Sequence, residues 1–235
     1  MYRFLLSLLL VFSSAALAEK TSQSLPAGAF TTLMVQAQDP VAYIETLKAN
    51  SSIFKGLGSS VAGACVTRSG NEYSGQMFIW NAYESISAAM ASSATYDAYN
   101  ASPEIAAARE VRYGATFKPL KEFKLDPAYE RLWRVKVAAE NLDAFVGSVT
   151  ELEKQIRDDG YDWNAGVFMP IGGGSEEVGY LHFRAVGRSA ESLGAIIDAY
   201  FDGASWAQVF DSAMSFVIDV KTDTFEECEV IYRAN

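Results

Sequence analysis

The chain has 235 residues, of which 50% are apolar, 13% aromatic and 20% charged, and its formal net charge is −10. This is a globular composition, with enough apolar residues for a sizeable core. So acidic a surface is repelled by phosphate backbones and by anionic membranes, which excludes nucleic acid as a partner.

In chain order, Arg3, the apolar run Phe4–Phe12 and the small-x-small triplet Ala16-Leu17-Ala18 read as an export signal over residues 1–18. The run is too short for a permanent span, which needs about 20 residues. The expectation is cleavage after Ala18, no membrane span thereafter, and a periplasmic or secreted protein. Residues 19–28 read as a polar leader.

Phe30–Gln38 is rich in β-formers, and Asp39-Pro40 is an N-cap followed by proline at the first helical position. Val61–Thr67 and Tyr73–Trp80 read as strands. A helical region runs from Tyr83, breaks near Asn100 and restarts at Ser102-Pro103-Glu104. Arg112–Lys124 holds the next strand. After a short linker at 125–129, Leu132–Ala138 is a strand. The stripe Leu142, Phe145, Val149, Leu152 and Ile156 marks an amphipathic helix behind Asn141. Trp163–Ile171 and Val178–Ala185 read as strands around a flexible hairpin at Gly172-Gly173-Gly174. A helix starts at Ser189 and restarts at Ser205. Phe216–Val220 and Phe225–Tyr232 read as two closing strands.

Three landmarks recur at roughly 100 residues: Asp39 with Asn141, Gly75 with Gly179, and Asp97-Ala98-Tyr99 with Asp198-Ala199-Tyr200. The expected fold class is therefore α+β: two ferredoxin-like β-α-β-β-α-β repeats, 29–124 and 130–235. In each repeat the helices cover one sheet face. The two bare faces then bury each other as a barrel within one chain.

The segments Ile79-Trp80-Asn81-Ala82-Tyr83-Glu84-Ser85 and Tyr99-Asn100-Ala101-Ser102-Pro103 resemble the dimeric α+β barrel superfamily, especially its antibiotic-biosynthesis-monooxygenase-like branch. In that family a strand ends in an aromatic residue, a helix starts, and a His-x-x-Ser-Pro-like segment follows. Tyr99 stands here where the family often has His. The second half has Arg184 in place of Trp80 and Ser205-Trp206 in place of Ser-Pro. The resemblance implies a barrel. Its members include cofactor-free oxygenases, isomerases and haem enzymes, and fold alone does not choose among them.

His182 is the only histidine. Strand alternation puts Tyr180, His182 and Arg184 on one face, and Gln76, Phe78 and Trp80 on the matching face of the other half. These faces are expected to line the barrel. His182 and Arg184 are the candidate catalytic pair, with Tyr180, Trp80 and Tyr99 as candidate ligand contacts. Arg184 on an inward face needs a carboxylate partner or an anionic ligand. Cys65 and Cys228 are either bridged or, for Cys65, a buried free thiol. No cofactor is expected: the superfamily's haem ligand sits on a helix, not a strand, and no Cys/His cluster has zinc spacing. Asp158-Asp159 and Glu176-Glu177 read as solvated turn charges, and no Gly-x-Ser-x-Gly is present. Two functions follow. One is an exported protein that binds a small apolar or aromatic molecule or a protein partner. The alternative is a cofactor-independent monooxygenase- or isomerase-like enzyme for a small aromatic substrate.

Overall fold

The computed structural model describes residues 26–234; the signal and most of the leader lie outside them. The first strand, β1 (Ala29–Ala37), sends Leu33 and Val35 to the helices and Phe30 and Met34 inward. Asp39 then accepts hydrogen bonds from the backbone of Val41 and Ala42, at 3.0 and 3.1 Å, and starts α1 (Pro40–Ala49). These bonds satisfy two of the donors every helix start leaves open. A short α2 (Ser52–Gly56) leads to β2 (Val61–Ser69) and β3 (Gln76–Tyr83). Next come α3 (Ile86–Thr95), α4 (Pro103–Ala108) and β4 (Arg109–Pro119). The rest of the chain forms β5 (Tyr129–Val137), α5 (Leu142–Asp158), β6 (Trp163–Gly172), α6 (Gly174–Glu177), β7 (Leu181–Gly187), α7 (Ala190–Phe201), α8 (Ala207–Met214) and β8 (Val217–Arg233).

The eight strands close into one antiparallel barrel in the order β1-β3-β2-β8-β5-β7-β6-β4. Closure leaves no unpaired sheet edge. The helices pack outside it. The α5 stripe buries Phe145, Val149, Leu152 and Ile156 against Trp133, Val167 and Phe183, while Tyr43, Ile44 and Leu47 of α1 pack on Val35, Met77 and Ile79. Inside the barrel lie two aromatic clusters, one with Phe78 and Trp80 and one with Phe117 and Phe168.

Several expectations need correction. The two closing strands are one 17-residue strand, because β8 pairs with β5 through its first part and with β2 through its last. The Gly-rich hairpin contains a turn of helix, α6, entered through Gly174 at φ +61°. Gly75 and Gly179 are turn glycines at φ +73° and +83°, ahead of their strands rather than within them. Gly75 has no alternative: a Cβ there would lie 1.9 Å from the Ala37 carbonyl oxygen. Asp97 caps a 3-10 turn at Ala98–Asn100, whereas Asp198-Ala199-Tyr200 lies within α7, so that landmark does not mark equivalent positions. No helix among the described residues is long and apolar enough to cross a membrane.

Cys65 of β2 faces Cys228 of β8, and the two form a disulfide across the seam between the first and second halves. They are 163 residues apart in sequence, so the bond restricts the unfolded chain over most of its length. The Cys65→Ala/Cys228→Ala double variant should lose about 3 kcal/mol of stability in urea unfolding, with an unchanged circular dichroism spectrum. An unchanged midpoint would mean that the β2–β8 ladder alone holds the seam.

Candidate functional site

The inward positions of the barrel carry charge as well as aromatic surface. Strand β7 sends His182 and Arg184 inward and Leu181 and Phe183 to the α5 core. On neighbouring strands, Glu130 and Arg134 of β5, Tyr113 of β4 and Glu226 of β8 also point inward. His182 packs on Phe117, with ring centroids 4.4 Å apart, and Arg184 lies over the Phe78 ring at 4.9 Å.

This layer divides the interior. Thr32, Phe78, His182 and Arg184 border both sides. On one side is an apolar chamber of about 60 Å³ walled by Phe30, Trp80, Phe123, Leu125 and Phe168. Gly63 and Gly166 make room for these rings: a Cβ at Gly63 would meet the Trp80 indole at 2.4 Å, and one at Gly166 would meet Phe168 at 2.4 Å. On the other side is a polar chamber of about 360 Å³ bordered by Met34, Tyr73, Arg112, Tyr113, Leu132 and Arg134. The second volume falls within the usual range of ligand sites.

Glu177 is the hub of the polar side. It is 1% exposed. One carboxylate oxygen accepts the Tyr113 hydroxyl at 2.8 Å; the other meets His182 Nε2 at 2.9 Å and Arg134 Nη2 at 3.0 Å. Burial works against its charge, but the hydrogen bond from His182, the Arg134 charge and the Tyr113 hydrogen bond outweigh it and hold the carboxyl below its ordinary range. Burial pushes the His182 ring below its usual 6.5, despite the pull of Glu177. The ring is then neutral at pH 7. An ionised Glu177 can only accept, so Nε2 carries the hydrogen and Nδ1 keeps its lone pair. Nδ1 has no hydrogen-bond partner among the described residues. This is the arrangement of an oriented general base.

Arg184 is answered from within. Its Nη1 reaches Glu130 at 2.7 Å and Glu226 at 2.9 Å. Burial, reinforced by the Glu130 charge, raises Glu226 above the normal carboxyl range in spite of Arg184. Two carboxylates within ion-pair distance, not an anionic ligand, satisfy Arg184.

His182, Arg184 and Trp80 thus share one interior, with Trp80 in the apolar chamber. Tyr180 does not join them: β7 begins one residue later, the Tyr180 N–H closes a turn onto the Glu177 carbonyl, and its hydroxyl bonds Asp219 at 2.6 Å. Tyr99 also lies elsewhere, exposed on the 3-10 turn outside the barrel. Glu177, read as a solvated turn charge, is instead drawn inside because α6 folds back over the barrel mouth and supplies the counter-charge for Arg134. Sequence reasoning missed Glu177, Arg134, Tyr113, Glu130 and Glu226. Alternation on β5 carries a signal for two of them, since Glu130 and Arg134 alternate with the core residues Trp133 and Val135. Nothing local marks Glu177.

The donor set does not fit haem. The one histidine is tied through Nε2 to Glu177, and its ring is packed on Phe117 between two chambers.

No protein-family model matches the chain, and no curated protein gives a significant match. Solved structures do resemble it. A protein assigned as a monooxygenase from Lactobacillus acidophilus NCFM aligns over 88% of this chain and 95% of its own, with TM-score 0.59 and 11% identity. An anthrone oxidase-like protein aligns over 88% and 96%, with TM-score 0.53 and 10% identity. A chlorite dismutase from Candidatus Nitrospira defluvii aligns over 85% and 91%, with TM-score 0.51 and 8% identity. The likeness to these structures is one of fold, a mixed α+β chain with a closed antiparallel barrel. At such identities the likeness speaks for fold alone.

A depressed histidine pKa leaves the folded state binding fewer protons than the unfolded state just below pH 6.5. Stability from this group is present above that pH and is lost as pH falls through the window towards the folded value. In urea unfolding, the stability of the wild type relative to His182→Gln should fall between pH 7 and pH 5, by at most about 1.4 kcal/mol per pH unit from this one proton; Glu226, whose raised pKa acts in the opposite direction, is common to both proteins and cancels in the difference. A difference that does not change with pH would contradict a neutral buried ring.

Proposed function

We propose that this protein is a cofactor-independent enzyme, oxygenase- or isomerase-like, whose first step removes a proton from a small aromatic substrate. The observation that carries the reading is the Glu177–His182 pair, a buried carboxylate 2.9 Å from the imidazole Nε2, with His182 at the border of a 360 Å³ chamber. In this reading a hydroxylated or carbonyl-bearing ring system lies in the polar chamber against Phe78 and Leu132. His182 Nδ1 takes an acidic proton, and Arg134 stabilises the oxyanion that develops. In an isomerase the proton returns at another carbon. In an oxygenase the carbanion itself supplies the electrons: a ring methylene and dioxygen become a ring carbonyl and water. The monooxygenase and anthrone oxidase-like folds support this choice over a purely structural role.

On the same reading the two halves are ferredoxin-like repeats from a tandem duplication, and the protein acts outside the cytoplasm, where a disulfide persists. A second reading, an exported non-catalytic binder of a small aromatic molecule, draws on the internal pairing of Arg184, which leaves no free cation beside His182.

The test is dioxygen uptake with anthrone as substrate. The wild-type protein should consume dioxygen and form anthraquinone, and His182→Gln should slow this at least about 100-fold. Saturable anthrone binding with no turnover, or equal turnover by His182→Gln, would favour the binding protein.

A further inference from the structure

A second cavity, of about 450 Å³, lies outside the barrel between the sheet and the helices of the first half. Its walls include Leu47 of α1, Phe54 of α2 and Ile79 of β3, all apolar and buried. It also contains a cation of unusual standing, Arg109, the first residue of β4, which is 8% exposed.

The other buried cations of the described residues each have a glutamate, Lys121 with Glu153 and Arg134 with Glu177, and the partly buried Arg184 has Glu130 and Glu226. Arg109 has none within ion-pair distance among the described residues. Its Nη2 donates to the Tyr96 hydroxyl at 3.0 Å and to the Ala98 carbonyl at 3.3 Å, both neutral groups. Its buried Nε has no partner. Its charge lies 5.8 Å from the centre of the Tyr43 ring. Asp97 borders the cavity too, but its carboxylate is engaged in capping the Tyr99 N–H. A guanidinium withdrawn from water without a counter-charge is costly, and an anion placed beside it removes that cost. Burial pushes the Tyr43 hydroxyl up to about 12, so it stays protonated beside Arg109.

We propose that this cavity is a second binding site, for a small amphiphile bearing one carboxylate: the carboxylate pairs with Arg109, and the apolar chain runs against Leu47, Phe54 and Ile79. The site is separate from the His182 chamber and does not depend on the chemistry proposed there.

The test is calorimetric titration of the full chain with decanoate, with 1-decanol and octanoate as comparisons. Decanoate should saturate a single site. Octanoate should bind about tenfold more weakly, because two fewer methylenes are buried, and decanol at least tenfold more weakly, because it lacks the charge. Arg109→Gln should weaken decanoate at least tenfold, while His182→Gln binds it as the wild type does. Ser93→Trp adds bulk at an exposed position of α3 that borders the cavity, removes no buried group, and should abolish binding even if Arg109→Gln does not fold. Non-saturable decanoate binding, or wild-type affinity in Arg109→Gln or Ser93→Trp, would overturn the proposal. So would loss of binding in His182→Gln, which would put the ligand in the barrel.

Discussion

A closed barrel has no edge, so an inward-pointing charge that is buried there must be met by another inward charge. That constraint organises the centre of this protein. Two acid–base sets occupy the interior, Glu177 with Arg134 and His182, and Arg184 with Glu130 and Glu226. Each draws on several strands, and the first also needs α6. Removing one member would strand the others in a low-dielectric interior, at a cost of about 3–5 kcal/mol for a buried pair. The aromatic layer of Phe78 and Phe117 packs against these sets and separates the polar chamber from the apolar one.

The two sets have different consequences for chemistry. Arg184 lies between two carboxylates and keeps little unbalanced charge to offer a ligand. The Glu177 set leaves one ring nitrogen, His182 Nδ1, without a hydrogen-bond partner among the described residues, and the His182 side chain borders both chambers. A general base needs an orienting partner, and Glu177 supplies one. The apolar chamber, walled by Trp80 and four other apolar residues, is too small for a ring system and shields the other face of the layer.

Much of the frame was legible in the sequence, because it rests on local rules. Asp39-Pro40 specifies a helix start wherever it occurs before an apolar stripe, and the stripe from Phe145 to Ile156 buries as its spacing requires. Alternation placed His182, Arg184, Phe78 and Trp80 on inward faces. What alternation cannot supply is a partner from a distant segment. Glu177 sits in a Gly-rich stretch with the look of a solvated turn, and only the path of α6 over the barrel mouth brings it to Arg134. Tyr180 failed for a local reason: Gly179 in a left-handed turn delays the strand, so the next side chain turns to Asp219 instead of the interior. Tyr99 was assigned by resemblance alone, and the 3-10 turn carries it to the outer surface.

The central claim is that His182 is a neutral base with its hydrogen on Nε2. Because it is the only histidine in the chain, selective ¹⁵N-histidine labelling gives one pair of ring nitrogen signals without assignment. At pH 7 the account predicts a protonated Nε2 coupled to a pyridine-type Nδ1, with the pattern reversed or averaged in Glu177→Gln. A doubly protonated ring at pH 7, or a hydrogen on Nδ1 in the wild-type protein, would contradict it.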